Sequence, residues 1–151
     1  MMDYTHPKLF KIASRKTIIK SLQQAFTSKG MKTEFDSMSV IFVSPAYNQG
    51  TASYRKVVYF TGMRFSFSDS TDLKNQELAE YLILSFEAAF PGKKAIVDAQ
   101  NNAIKVSGSQ ILFAIKDSAV KDWMFLEYDQ SNPQLNRQLF PKQVQQHFNL
   151  L

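Results

Sequence analysis

YRKVVYFTGMRFSF, residues 54–67, is the longest run in this chain that reads as a strand, and the fold is built outward from it. Val57, Tyr59, Met63, Phe65 and Phe67 share one face, with Thr61 among them. Lys56, Arg64 and Ser66 point the other way with Val58 and Phe60. A period of two is what a pleated strand needs to bury one side. Gly62, in the middle, marks a bulge or bend. Immediately downstream the period changes. Residues 72–90 place Leu78, Leu82, Phe86 and Ala89 on one helical stripe, widened by Tyr81, Ile83, Leu84 and Phe90. Thr71 or Asp72 caps that helix and Pro91-Gly92 ends it.

Upstream, Ser14 caps a helix predicted over 15–29, with Ile18, Leu22, Ala25 and Phe26 as its apolar stripe and Gly30 as its stop. Met31–Phe35 and Val40–Ser44 read as two short strands around Asp36-Ser37-Met38-Ser39, a hairpin by composition. Pro45–Thr51 reads as a loop. After the second helix come Lys94–Ala99 and Ala103–Ser107 around Gln100-Asn101-Asn102, then Ile111–Lys116 and Lys121–Tyr128 around Asp117-Ser118. The last of these is apolar on both faces, which predicts a central strand. Asn132-Pro133 starts a helix that Pro141 interrupts, and Val144 and Phe148 resume its stripe.

These elements predict an α+β fold in one domain spanning residues 1–151. Its mostly antiparallel sheet has five to seven strands. The first two helices pack on one face, and a C-terminal helical pair, Pro133–Phe148, closes an edge or the end. Residues 1–10, with Pro7, read as a flexible arm. The two halves share an order of helix, glycine stop and hairpin. That order fits an old duplication or simply the common grammar of α+β chains. Thirteen Phe and six Tyr supply ample apolar area for a core of 151 residues.

The order helix, three strands, helix, several strands, helix resembles that of small bacterial secretion chaperones. That resemblance is one of fold and fits a chaperone-like binding role. It rests on element order alone, and those chaperones are typically acidic whereas this chain is basic.

Charge is the distinctive outward signal. Residues 1–32 carry seven basic side chains against one acid, a net +6, while the remaining residues carry −1 of the chain's +5. A one-sided field attracts anionic partners. Lys8, Lys11, Arg15, Lys16 and Lys20, with Lys29, are therefore candidate contacts for an acidic protein. Ile83 and Leu84 exceed what one core face of the second helix requires, and mark a protein-binding or homodimer surface. A second candidate site is a small-ligand pocket lined by Phe65, Phe67, Phe86 and Phe113. A third reading, an enzyme with an unrecognised site, predicts a cleft in which Asp98, Glu127 or Asp129 has a strongly shifted pKa.

Other classes find little support. The chain has no Cys, which removes disulfides, thiolate metal sites and Cys nucleophiles and suits a reducing cytoplasm. No apolar run approaches the length of a membrane span, and no apolar stretch follows the early charges as in a secretory signal. Only one of the seven early basic residues is Arg, against an organelle transit peptide. The five glycines form neither a dinucleotide-binding nor a P-loop pattern, so no cofactor is expected. His6 and His147 are too few for a metal or catalytic triad, and both read as solvated surface histidines. Tyr54-Arg55-Lys56 and Phe60 with Arg64 lack the spacing of an RNA-binding sheet, so nucleic acid is not an expected partner.

Overall fold

The computed structural model describes residues 2–26, 30–68 and 71–151, and the side chains of these residues other than 25 and 26. Lys29, and the packing expected of Ala25 and Phe26, lie outside that set. Six strands form an antiparallel sheet: β1 (Met31–Val43), β2 (Tyr47–Gln49), β3 (Ala52–Phe67), β4 (Lys94–Asp98), β5 (Ala103–Lys116) and β6 (Met124–Tyr128). Their order is β1-β3-β5-β4, with β2 also on β3 and β6 also on β5. Four helices, α1 (Arg15–Phe26), α2 (Gln76–Ala89), α3 (Pro133–Leu139) and α4 (Lys142–His147), complete the α+β fold. The chain divides into two compact units, one of residues 2–18, Val40–Tyr59 and Gln110–Leu151, the other of Ile19–Ser39 and Phe60–Ser109.

The first unit is organised by Phe113, which is fully buried. Its ring lies 4.8 Å from that of Phe140, 5.4 Å from Phe148 and 6.1 Å from Tyr128. Such pairs add roughly 0.5–1.5 kcal/mol each beyond their area. Tyr54, Ile115, Leu126, Leu139 and Val144 fill the rest of this core. The C-terminal helical pair thus packs against residues of β3, β5 and β6, and α4 also contacts β2. The α3 helix is tied to β6 by Asn136, whose buried amide donates to Asp129 O (2.6 Å) and accepts from Asp129 N–H (3.1 Å).

Residues 1–10 do not form a free arm over their described part. Two 3-10 turns, Met2–Tyr4 and Pro7–Lys11, dock on the first unit. His6 N–H donates to Phe125 O (3.0 Å), Thr5 bridges Phe125, and Lys8 Nζ donates to Leu139 O (2.7 Å). The segment therefore covers backbone along β6. That strand pairs with β5 and is not central, as its apolar pattern had suggested. Phe125, on its second apolar face, remains more than a third exposed.

The second unit has its own core, built from Met63, Phe65, Leu73, Ala95, Ile104 and Val106, with Leu82, Ile83, Phe86 and Phe90 packed from the region of α2. The hairpin read around Gln100-Asn101-Asn102 is present, with Asp98 paired to Ala103. Asn102 takes the left-handed conformation (φ 47°), which Asn adopts more readily than most residues. Its side-chain amide donates to Phe67 O (3.3 Å), Ser68 O (3.3 Å) and Thr71 O (2.6 Å), and its carbonyl accepts from Leu73 N–H (3.1 Å). One side chain thus ties Phe67 and Ser68 to Thr71 and Leu73.

Three strand boundaries differ from the sequence reading. Met31–Phe35 and Val40–Ser44 are not two strands of a hairpin but parts of one 13-residue strand, β1. Asp36–Ser39 contains no Gly or Pro, so nothing in it forces a turn, and β3 is long enough to pair past it. Gly62 meets this stretch: a Cβ there would fall 2.6 Å from Ser37 Oγ, so the glycine makes room for β1. Ala103–Ser107 and Ile111–Lys116 likewise join into one strand, β5. Finally, the loop read over Pro45–Thr51 includes β2, which turns into β3 through Gly50 at φ 62°.

Candidate functional site

Strand β1 ends the strand order, so the outer side of Val40–Val43 has no neighbouring strand among the described residues. Such an edge templates pairing with another chain, and proteins usually blunt it with charge, proline or a covering segment. The β6 edge is covered in that way by Thr5 and His6. β1 is not. Within the first unit, Val40, Ile41, Phe42 and Val43 are 64, 58, 47 and 48% exposed. Adjacent strand residues point to opposite faces, so apolar surface is presented on both. Residues 37–54 contain no Asp, Glu, Lys, Arg or His at all. In the second unit, Phe35 and Met38 are also mostly exposed.

The turn after this segment is firmly built. Ser44 is buried; its N–H donates to Lys56 O (2.9 Å), and its Oγ accepts from Lys56 N–H (2.9 Å). Arg55 donates to Ser44 O (3.3 Å) and its guanidinium lies over Trp123. Val40–Val43 is therefore held extended by a rigid neighbour at one end.

The residues singled out from sequence fare differently. Lys8 is half-buried and committed to Leu139 O. Arg15 pairs with Asp3. Lys11, Lys16 and Lys20 are exposed. Ile83 packs into the core of the second unit while Leu84 is exposed, so these adjacent residues do not share one surface. Of the four pocket rings, Phe65, Phe67 and Phe86 come together, with Phe65 and Phe86 only 4.6 Å apart, whereas Phe113 belongs to the other core. Each set of rings packs within its own core. Phe67 alone of the four borders a cavity of about 390 Å³, with Gly30, Met31, Lys32, Ser66 and Ser68.

The Asp98 carboxyl is held below its ordinary range, chiefly by hydrogen bonds from Asn101 and also by Lys105. Asp129 caps the turn ahead of α3 through Ser131. Glu127 is exposed and accepts from the Tyr59 hydroxyl at 3.4 Å. Burial first, and Glu127 second, push the Tyr59 phenol far above its ordinary range. Among the described residues no group of three or more His, Asp or Glu is placed to hold a metal, and no helix is long and apolar enough to cross a membrane.

His147 is exposed and stacks on Tyr47, with ring centroids 3.9 Å apart. His6 is not a surface histidine: it is 3% exposed. Its Nδ1 accepts from Lys8 N–H (3.2 Å), and its Nε2 lies 3.3 Å from an Asp117 oxygen. Burial lowers its pKa below 6.5 and outweighs the opposing pull of Asp117; Lys8 and Lys11 add to the lowering. The folded state thus binds this proton less readily than the unfolded chain. Its contribution to stability is present above pH 6.5 and is lost as the pH falls from there through the lower folded value. Urea midpoints measured from pH 7.5 to 5 are expected to decline below about pH 6.5, and His6→Gln is expected to flatten that decline.

Comparison with family models, characterised proteins and solved structures returned no match.

Proposed function

We propose that this protein is a non-enzymatic interaction module that captures an extended segment of a partner protein along the outer edge of Val40–Val43. The observation that carries this reading is four consecutive exposed apolar residues on a strand whose outer side has no neighbouring strand among the described residues. Main-chain hydrogen bonds supply affinity in strand addition, and side chains flanking the edge on both faces select the partner residues. The absence of charge between residues 37 and 54 favours a partner strand that is itself apolar and uncharged. The basic residues Lys11, Lys16 and Lys20 then contribute long-range attraction to an acidic partner surface, which raises the encounter rate more than the final affinity.

A displayed library of random dodecapeptides is the test. Selection on the intact protein is expected to enrich uncharged sequences rich in β-branched and aromatic residues, with no internal proline. Their binding should hold between 50 and 500 mM NaCl. Acidic peptides whose affinity collapses over that range and is lost in Lys16→Glu/Lys20→Glu would instead assign binding to α1.

A further inference from the structure

The second binding feature is a cavity of about 440 Å³ in the first unit, lined by Arg137, Phe140, Lys142, Gln145 and Leu151. We infer that it is a site for a small organic acid, a carboxylate carried on an apolar body. Its size lies in the range of small-ligand sites, roughly 300–1,000 Å³. Its chemistry is divided. Arg137 and Lys142 bring two positive charges against the single main-chain carboxylate of Leu151, so the lining stays net positive. Phe140 and Leu151 bring apolar wall.

Gln145 gives the cavity a fixed polar point. It is 2% exposed, and one N–H of its amide donates to Phe140 O at 3.0 Å. That bond orients the amide at the cavity wall. A carboxylate set between Arg137 and Lys142 would have charge-assisted donors on two sides, and its apolar part would lie on Phe140 and Leu151. Neither cation is drawn into an ion pair with a described residue. The α3–α4 connection explains the arrangement. Phe140 and Pro141 separate the helices, so the last turn of α3 and the first of α4 bring Arg137 and Lys142 to one opening. This site shares no residue with Val40–Val43, and either proposal can fail without the other.

Calorimetric titration of the intact protein with decanoate and with 1-decanol, its uncharged counterpart, tests the inference. Saturable one-to-one binding of decanoate is expected, with at least tenfold weaker binding of the alcohol. Arg137→Gln/Lys142→Gln should weaken decanoate at least tenfold while its circular dichroism and urea midpoint stay unchanged, because both side chains are exposed. A second variant, Gln145→Leu, should weaken decanoate even with both cations in place. Absence of saturable binding at millimolar decanoate overturns the site. So does equal affinity for the alcohol, or decanoate binding that the paired charge variant leaves intact.

Discussion

Ile41→Lys is expected to abolish capture of a library-selected strand while leaving the fold in place. Ile41 is more than half exposed in the free protein, so the substitution removes little buried area, and the stability change should stay within about 1 kcal/mol. In the complex the same position is flanked by the added strand. A lysine there must either desolvate its ammonium or swing its stem out of the contact. Truncation of a central interface anchor typically costs about 2–4 kcal/mol, equivalent to a roughly 30- to 1,000-fold loss of affinity. Leu84→Lys, at an exposed apolar residue of α2 that has no part in the proposed edge, is the matched control and should leave binding unchanged. Fluorescence anisotropy with a labelled selected peptide gives both values. Equal affinity of wild type and Ile41→Lys is the result that removes the edge from the account.

Asn102→Ala carries the largest expected effect on stability. It deletes three donated contacts and one accepted contact, all to backbone groups of residues 67–73. At roughly 1 kcal/mol net per bond, and with another 1 kcal/mol or so for holding alanine in the left-handed region, the loss is about 3–5 kcal/mol. Asn102→Gly accepts the backbone angle and should lose about 1 kcal/mol less. Asn102→Asp keeps an acceptor for Leu73 N–H but turns a carboxyl group toward three carbonyl oxygens, so it should be no better than alanine. Urea unfolding at pH 7.5 ranks the three. A loss below 1 kcal/mol for alanine would mean that the loop holds its path without this side chain.

Much of the scaffold is legible in the residues because local chemistry decides it. The Val57–Phe67 alternation, the Asn132-Pro133 start and the Pro91-Gly92 stop each depend on neighbours in sequence. The failures come where distant residues decide. Asp36–Ser39 has turn-like composition, yet it is strand because β3 continues beside it and Gly62 leaves room. Asn102 is recognisable as a turn residue, but its partners lie some thirty positions upstream.

The candidate edge is hidden for a related reason. Lys121–Tyr128 reads as a central strand because both its faces are apolar, and Val40–Ser44 reads as one strand of a hairpin. Neither is central: Thr5 and His6 cover the β6 edge, and Val40–Val43 has no such cover among the described residues. Sequence gives the apolarity of a strand, and only the pairing tells which side is left over. The early positive charges mislead in a different way. Charge counting does not reveal that Lys8 is committed to Leu139 O or Arg15 to Asp3.

Amide hydrogen exchange resolved to single residues, with and without a saturating selected peptide, tests the edge most directly. Strand addition predicts that amides within Val40–Val43 slow at least tenfold on binding while those of α1 keep their rates. Unchanged exchange across Val40–Val43, with protection appearing over Arg15–Lys20 instead, would contradict it and move the binding surface to the basic helix.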